Sequence, residues 1–233
     1  MAFLLNHLLL LLLLLLASPT LDAVVFKCSA ADRRALLAIK SAFTSTNYFA
    51  SWTESDPYCC HWKGVGCNPL FSVSGLFVIN DSSLVGEIPA AVGDLANVFI
   101  IEFYNLPGLT GSIPSSLANL RRLVLLNLHH NSLSGSIPAM PSLRYLNLSF
   151  NRFEFVLGSV DLGMNLTVLD MSHNRITGSI PAQVNQMLGL MKLDLSHNRL
   201  CGQIPTGPVT SRFGSEAYSD NGCLCGAPLP ACL

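Results

Sequence analysis

Charged residues are scarce in this chain of 233 residues: Asp, Glu, Lys and Arg together make up 12%, and the formal net charge is -1. Soluble globular domains usually carry about 25% charged residues. The sequence therefore offers neither the basic field that nucleic acid requires nor a polybasic patch for anionic lipid. Both classes of partner are disfavoured.

Motifs of catalysis are missing as well. The sequence has no G-x-S-x-G nucleophile elbow, no H-E-x-x-H zinc motif and no glycine-rich phosphate loop. Asp170 and Asp194 could be viewed as paired carboxylates, but both occupy the same place in a repeated L-D-x-S-H-N segment, and this repetition explains them without catalysis. We expect a protein that is not an enzyme and that needs no cofactor or metal.

Long apolar runs are absent except at the N-terminus, where leucine is unbroken from Leu8 to Leu16. This run is shorter than the roughly 20 residues of a membrane-spanning helix, and small residues follow it. The pattern predicts a secretory signal peptide over residues 1–23, cleaved between Ala17 and Ala23. We expect the mature protein to be secreted and not to insert into a membrane.

Cysteine is absent between Cys67 and Cys201, so that all eight cysteines form two groups near the ends of the chain. An even number of cysteines in a secreted chain favours disulfides, and neither group has the spacing of a zinc site. If each group pairs internally and close sequence neighbours are excluded, two pairings remain for each group. The groups are Cys28, Cys59, Cys60 and Cys67, then Cys201, Cys223, Cys225 and Cys232.

Between the cysteine groups the chain repeats the pattern L-x-x-L-x-L-x-x-N-x-L-x-G-x-I-P. The L-x-L alternation predicts a short strand with one face inward, and the Asn can bond backbone groups where the chain turns. Because no single repeat can bury its apolar edge, the strands must stack. The sequence thus predicts an α/β leucine-rich-repeat solenoid with a parallel concave sheet. The six copies begin at Val73, Val98, Leu123, Leu143, Leu166 and Leu190.

This organisation predicts three segments after the signal peptide. They are an N-terminal cysteine-rich cap over residues 24–72, the repeats over residues 73–207, and a C-terminal cysteine-rich cap over residues 208–233. A stacked array needs such caps because its end repeats would otherwise expose apolar surface.

The N-terminal cap contains a predicted amphipathic helix from Asp32 to Phe43. Leu36, Ile39 and Phe43 share one face of this helix, and Asp32 is suited to its N-cap. Trp52 and Trp62 follow, and large aromatics of this kind are expected to be buried against the first repeat.

The two ends of the chain carry a family resemblance. DRRALLAIKSAF…SWTESDPYCCHWKGVGC resembles the N-terminal cap of plant leucine-rich-repeat proteins, and NRLCGQIPTG…RFGSEAYSDNGCLCGAPLPAC is similar to the closing segment of polygalacturonase-inhibiting proteins of the plant cell wall. The resemblance implies an inhibitor of a fungal or insect polygalacturonase in plant defence. It also implies the disulfides Cys28–Cys59, Cys60–Cys67, Cys201–Cys223 and Cys225–Cys232.

The chain departs from that family in its central repeats. Members of the family have more repeats than the six found here. The third repeat is cut short at Pro141-Ser142, and the fourth reads FEFVLGSVDLGMN in place of Gly-x-Ile-Pro. The alternative is an extracellular signalling protein that binds a peptide or a receptor kinase, and pectin is a further partner.

The repeat register predicts which side chains leave the sheet on its solvent side, where a rigid scaffold provides a contact surface. Tyr, Phe and Arg in this set are typical of interfaces, whereas Asp and His can also be repeat filler. The candidate binding residues are Glu102, Tyr104, Asn105, Asn127, His129, His130, Arg144, Tyr145, Asn147, Phe150, Asp170, His173, Lys192, Asp194 and His197.

Three of these histidines, His130, His173 and His197, directly precede the repeat Asn and should line up along one edge of the face. With an ordinary pKa near 6.5, they would add positive charge below about pH 6. A metal row is disfavoured because no Cys or carboxylate completes a ligand set.

Three N-x-S/T sequons, at Asn80, Asn147 and Asn165, are candidate N-glycosylation sites in the secretory pathway. A glycan on Asn147 would cover the contact surface beside Tyr145.

Overall fold

The computed structural model describes residues 27–44 and 47–232. The predicted signal peptide, residues 1–23, lies outside the described residues. Within them, no helix has the length and apolar character needed to cross a membrane.

The described residues form one α-helix, thirteen strands and eight short 3-10 helices. The α-helix and strands are α1 Ala30–Ser41, β1 Phe43–Thr44, β2 Val65–Cys67, β3 Val73–Ile79, β4 Val85–Glu87, β5 Ile100–Tyr104, β6 Gly108–Thr110, β7 Leu125–Asn127, β8 Tyr145–Asn147, β9 Val168–Asp170, β10 Thr177–Gly178, β11 Lys192–Asp194, β12 Arg199–Gln203 and β13 Cys223–Cys225. The 3-10 helices are Asn47–Phe49, Cys59–His61, Ala90–Asp94, Ser115–Asn119, Leu157–Ser159, Ala182–Gln186, Thr210–Arg212 and Ser215–Ala217.

The largest sheet has seven strands in the order β11-β9-β8-β7-β5-β3-β2. Its six repeat strands are parallel, one from each predicted repeat, and β2 closes the N-terminal edge by pairing antiparallel with β3. The predicted solenoid with a parallel sheet is therefore confirmed. The central inward residues are in register and buried: Leu76, Ile101, Leu126, Leu146, Leu169 and Leu193.

A second ladder of short strands runs along the opposite part of each repeat. It consists of the sheets β1-β4-β6 and β10-β12-β13, with isolated bridges such as Ser112–Ser134 and Val156–Thr177 in the repeats between them. The L-x-G-x-I-P segments and their variants form β4, β6, β10 and β12, whereas β1 and β13 come from the caps. A 3-10 helix follows Pro89, Pro114 and Pro181. The L-x-L alternation predicted only the strands of the main sheet, so this second ladder was not predicted.

The helix of the N-terminal cap begins earlier than predicted. Helix α1 has Ser29 as its N-cap, with the Ser29 Oγ accepting from the Asp32 N–H at 3.0 Å. The assignment of Asp32 as the N-cap is therefore wrong. Asp32 is buried, and its Oδ2 accepts hydrogen bonds from the Val73 N–H and the Ser72 hydroxyl, both at 3.1 Å. The carboxylate joins the helix to the first repeat strand.

Aromatic side chains fill the N-terminal cap. Trp52 is fully buried and Trp62 is 2% exposed, and their rings stack with centroids 5.7 Å apart. Phe49 packs edge-on against Trp52 at 4.7 Å, and the Trp52 indole N–H donates to the Lys63 carbonyl at 2.8 Å. The prediction that both tryptophans are buried is confirmed.

Disulfides lie at both ends of the solenoid. The bonded pairs are Cys28–Cys59, Cys60–Cys67, Cys201–Cys223 and Cys225–Cys232, the pairing that the family resemblance implies. At the C-terminal edge of the main sheet, the N–H groups of Leu195 and His197 donate to the carbonyls of Ala217 and Ser219. The C-terminal cap thus satisfies backbone groups that an open sheet edge would leave exposed.

Neighbouring repeats are joined by an asparagine ladder, which comprises Asn131, Asn151, Asn174, Asn198 and Asn221. The Asn198 Nδ2 donates to the Met171 carbonyl of the preceding repeat at 2.8 Å, and its Oδ1 accepts from the Ile176 N–H at 3.0 Å. The other members make equivalent contacts. These amides satisfy buried backbone groups at each turn.

Candidate functional site

The solvent side of the seven-stranded sheet, called the exposed face below, carries most of the predicted contact residues. Two outward columns flank the inward leucines, because side chains alternate along a strand. One column holds Ile100, Leu125, Tyr145, Val168 and Lys192, and the other holds Glu102, Asn127, Asn147, Asp170 and Asp194.

Two predicted contact residues are buried on this face. Asp170 is 6% exposed, because Lys192 covers it with a 2.9 Å ion pair. This hydrogen bond raises the pKa of Lys192. Asn127 is 7% exposed and lies between Glu102 and His129. The expectation that Asp170 and Asn127 are open to a partner is therefore wrong.

The Asp and Asn of this column also have a local structural role. The Asp194 Oδ1 accepts from the Ser196 N–H at 3.0 Å and the Ser196 hydroxyl at 2.7 Å. Asp170 and Asn147 make the same two bonds to Ser172 and Ser149. The repeated Asp therefore shapes the end of the strand, which agrees with the interpretation as repeat filler.

The face is more apolar at the start of its strands than the sequence analysis expected. Met191 is 76% exposed and Phe99 is 37% exposed, and both directly follow the first buried residue of their repeats. Val124 and Ile100 beside them are half-buried. Arg144 occupies the same repeat position as Met191 and Phe99 and is exposed. Each of these residues lies two positions before a buried central residue of its strand, so strict alternation would place it inward and does not mark it as exposed.

Rings are stacked at the other end of the strands. Tyr104 and His129 stack with centroids 4.5 Å apart, and His129 meets His130 edge-on at 5.1 Å. Four further rings form what we call the ring column: His130, Phe150, His173 and His197. Successive centroids in the column are 4.2, 4.0 and 4.0 Å apart, and the rings are within 21° of parallel. The predicted alignment of the three histidines is present, with Phe150 of the fourth repeat inserted between them.

Every residue of the ring column has a left-handed backbone, with φ between 52 and 55°. Asn80, Asn105 and Asp220 have the same conformation at the equivalent positions of the flanking segments. Asn and Asp tolerate this region, whereas it is uncommon for a bulky residue such as Phe. The N–H of Phe150 donates to the Ser172 carbonyl of the next repeat, and this bond holds the conformation in place.

Burial lowers the pKa of two of the histidines, His129 and His173. It lowers the pKa of His129, and the neighbouring His130 lowers it further. It also lowers the pKa of His173, with His197 as the next cause. Both imidazoles therefore stay neutral to a lower pH than a free histidine.

An arginine column lies beside the ring column, and the sequence analysis missed it. Arg152, Arg175 and Arg199 each follow a member of the asparagine ladder, and all three are exposed. Arg199 lies 3.9 Å from Glu154, and both side chains of this pair are 59% exposed. The repeated Asn-Arg dipeptide was the signal that could have revealed this column.

The three sequons occupy different settings. Asn80 and Asn165 are exposed, and the Asn80 Oδ1 accepts from the Asn105 side chain at 2.8 Å. Asn147 is half-buried on the exposed face, and the Ser149 of its sequon is 5% exposed. Glycosylation at these positions stays a prediction.

Away from the exposed face, a cleft of about 350 Å³ lies where the fourth repeat departs from the pattern. The loop over residues 158–164 and the 3-10 helix Ala182–Gln186 line it. Within the described residues, the only compact group of potential metal ligands is Cys28, Cys59 and Cys60, all of which are in disulfides.

Stacked parallel strands, an asparagine ladder and disulfide-bonded caps define a leucine-rich-repeat protein. Family models agree with this class along the chain. A leucine rich repeat N-terminal domain matches residues 29–68, and leucine rich repeats match residues 122–141 and 141–200.

Two plant proteins are among those similar to this chain. A polygalacturonase inhibitor of Pyrus communis is 39% identical over 101 residues, which are 43% of this chain and 30% of that protein. The leucine-rich repeat protein FLOR 1 of Arabidopsis thaliana is 37% identical over 109 residues, 47% of this chain and 33% of that protein. The matched part of the chain thus spans about a third of the length of each relative.

Among solved structures, the chain is similar to that of pollen receptor kinase 3. The TM-score is 0.68 at 28% identity, over 84% of this chain and 97% of that one. The chain therefore has the architecture of plant leucine-rich-repeat proteins with an extracellular repeat domain.

Proposed function

We propose that this chain is a secreted protein-binding protein of the plant cell wall that inhibits a pathogen polygalacturonase. The observation that carries the proposal is the exposed face itself, a rigid sheet surface with aromatic side chains in a chain similar to polygalacturonase inhibitors. The inhibitor would act by occupying the surface of the enzyme, since nothing in the proposal requires chemistry on this chain.

The layout of the exposed face supports a protein partner. Its first half presents apolar side chains such as Met191, Phe99 and the half-buried Tyr145. Its second half presents hydrogen-bonding groups and the exposed Phe150. Apolar and aromatic side chains beside polar ones are the usual composition of an interface. Anionic pectin, if it binds, would meet the arginine column at the border.

The test is hydrolysis of polygalacturonic acid by a panel of fungal polygalacturonases at acidic pH, with and without the purified, disulfide-intact protein. We expect a dose-dependent loss of hydrolysis with at least one enzyme. If none responds to protein that is shown to be folded, the inhibitor proposal is wrong.

A matched pair of variants locates the contact. Tyr145→Ala removes an aromatic ring from the centre of the face, where truncation of a hot-spot tyrosine weakens binding by about 2 kcal/mol or more. Val85→Ala is the control, because Val85 is 52% exposed but lies on β4 in the second ladder. Inhibition should weaken in the first variant and stay unchanged in the second.

Binding to a receptor kinase or a peptide signal is the second candidate function. The observation that favours it is the fold: the chain covers 97% of the solved pollen receptor kinase 3 chain, with a TM-score of 0.68. Recovery of a receptor kinase with the protein from plant extracts, without any effect on polygalacturonase, would support this function over inhibition.

A further inference from the structure

The fourth repeat does not close its side of the solenoid in the way that other repeats do. In three repeats a proline precedes a 3-10 helix, and the third residue after the proline is a buried aliphatic residue: Val92, Leu117 and Val184. In the fourth repeat Gly158 stands at the position of the proline, and the third residue after it is Asp161, which is exposed. A carboxylate therefore replaces the apolar side chain that would fill this part of the repeat.

This replacement is accompanied by an open space. At the first two repeats the 3-10 helices pack directly on each other: the Ser116 hydroxyl donates to the Ala90 carbonyl at 2.8 Å, and a Cβ on Gly93 would lie 2.5 Å from the Ser116 carbonyl oxygen. Between the fourth and fifth repeats, the cleft of about 350 Å³ separates the loop over residues 158–164 from the 3-10 helix Ala182–Gln186. This volume is at the small end of the range for ligand sites, about 300 to 1,000 Å³, and suits a single side chain.

The cleft combines an apolar lining with one carboxylate. Leu162, Val184 and Met187 are no more than 6% exposed, and Met164 is 45% exposed. Within the described residues, no Lys, Arg or His is among those that line the cleft, and Asp161 is its only charged residue. The lining is therefore complementary to a cation that is carried on an apolar stem.

The carboxylate of Asp161 is held in place and can still accept further hydrogen bonds. Its Oδ1 accepts from the Gly163 N–H at 3.0 Å. Gly163 has a left-handed backbone with φ of 71°, and a Cβ at this position would lie 3.1 Å from the Pro141 Cα, so the loop lies directly against the end of the third repeat. A carboxylate has about four lone-pair sites, and the bond to Gly163 uses only one of them.

We propose that this cleft binds the side chain of an arginine on a partner protein. The stem of the arginine lies on Met164, Val184 and Met187, and its guanidinium donates to the carboxylate of Asp161. Long cationic side chains bury their stems on apolar surface while the charged head stays at the water boundary. Arginine suits the cleft better than lysine, because its planar guanidinium can bond both oxygens of a carboxylate and is more weakly hydrated. The inference goes beyond the proposed function, since the cleft lies away from the exposed face and gives the protein a second contact.

The test follows the methionine methyl resonances of the disulfide-intact protein by NMR at pH 7. The probes are N-acetylarginine methylamide and the corresponding derivatives of lysine and norleucine, the last of which has an apolar stem and no charge. We expect saturable shifts of the Met164 and Met187 methyls with the arginine probe, a weaker response to lysine, and a response to norleucine that is about five-fold weaker. Met191, which is 76% exposed on the exposed face, should not respond. Equal responses to arginine and norleucine, or an equal shift of Met191, would overturn the proposal.

The variant Asp161→Asn tests the carboxylate itself. The amide oxygen of Asn can still accept from the Gly163 N–H, so the loop keeps this bond. The response to the arginine probe should weaken about five-fold, the usual upper value for one exposed ion pair. Asp94→Asn is the matched control, because Asp94 is an exposed carboxylate in the 3-10 helix of the first repeat, and it should leave the response unchanged. An unaltered response in Asp161→Asn would overturn the proposal. Because no enzyme is present, this outcome is independent of polygalacturonase inhibition.

Discussion

The first two repeats and the later ones provide hydrogen-bond partners for their backbone N–H and C=O groups in different ways. Strands β3 and β5 pair over five register positions, whereas the strands of the later repeats pair over three. The later repeats compensate with the asparagine ladder, whose amides bond the backbone of the preceding repeat. In the first two repeats, Asp81 and the buried Leu106 stand at the ladder position.

This difference shows that the later repeats add side-chain amide bonds to a backbone pairing that all repeats share beyond the strand ends, for example from the N–H of Asn80 to Tyr104 and from the N–H of His130 to Ser149. Buried N–H and C=O groups need partners in either case. The N-terminal region uses strand length and the aromatic cap around Trp52, and the C-terminal region uses polar side chains. The two regions should therefore respond to different substitutions.

The largest loss is expected in the aromatic cap. Trp52→Ala should lower the free energy of unfolding by about 4 kcal/mol, because it empties a fully buried site between Phe49 and Trp62. Urea titration of the disulfide-intact protein measures this. Leu70→Ala is the control in the same region, since Leu70 is 87% exposed, and it should change stability by less than about 0.5 kcal/mol. Similar values for both would contradict the buried role of Trp52.

A somewhat smaller loss is expected when the ladder is broken. Asn198→Leu gives the sixth repeat the leucine that the second repeat has at this position. It should lower the free energy of unfolding by about 3 kcal/mol, because several buried backbone groups lose their hydrogen-bond partner. The same substitution at Asn119, which is exposed, serves as the control for urea titration. If Asn198→Leu were as mild as the control, the two regions would not differ in the way described.

We expect the C-terminal cap to lose stability at alkaline pH, because the phenol of Tyr218 ionises there. Burial raises the pKa of Tyr218 to about 12. Its hydroxyl donates to the Thr210 carbonyl at 3.0 Å. In the unfolded chain the phenol ionises near pH 10, so its contribution to stability is complete below about pH 10 and is lost as the pH rises towards 12.

The melting temperature of the unaltered chain should therefore fall more steeply between pH 9 and pH 11 than that of Tyr218→Phe. Tyr58→Phe, in the N-terminal cap, is the matched control and should retain the steep fall. If the melting temperature falls equally steeply with pH in the unaltered chain and in Tyr218→Phe, ionisation of this phenol does not change the stability of the cap.

The smallest effect is expected where the two regions meet, at His129. Its pKa is lowered by burial and by His130, so the folded state binds this proton less readily than the unfolded state. The resulting loss of stability is absent above about pH 6.5 and grows as the pH falls below that value. His129→Ser follows the later repeats, which have Ser149, Ser172 and Ser196 at this position.

Melting temperatures at pH 7 and pH 5 test this expectation. The drop between the two pH values should be smaller in His129→Ser than in the unaltered chain, with His61→Asn as the control that keeps the full drop. An unchanged drop in His129→Ser would mean that burial does not disfavour the charged form of this ring.

The candidate site could be predicted from the sequence only in part. The repeat register correctly placed Tyr145 on the outward side of its strand and aligned the three histidines, because equivalent positions of stacked repeats lie next to one another. It could not show that Lys192 covers Asp170 or that Glu102 bonds the side chain of Asn127, because these contacts join different repeats. The apolar stripe with Met191 and Phe99 was missed because each of these residues lies two positions before an inward residue, where strict alternation does not predict exposure.

The sequence by itself determined the repeat, its period and its inward leucines, because each depends on neighbours within one turn of the solenoid. It also placed the cysteines at the ends, where a stacked array must be closed. Only the tertiary structure decided the second strand ladder, the role of Asp32 between helix and sheet, and the stacking of Phe150 between His130 and His173. The physical reason is that these features bring together residues some 20 to 40 positions apart, which meet only when one repeat lies on the next.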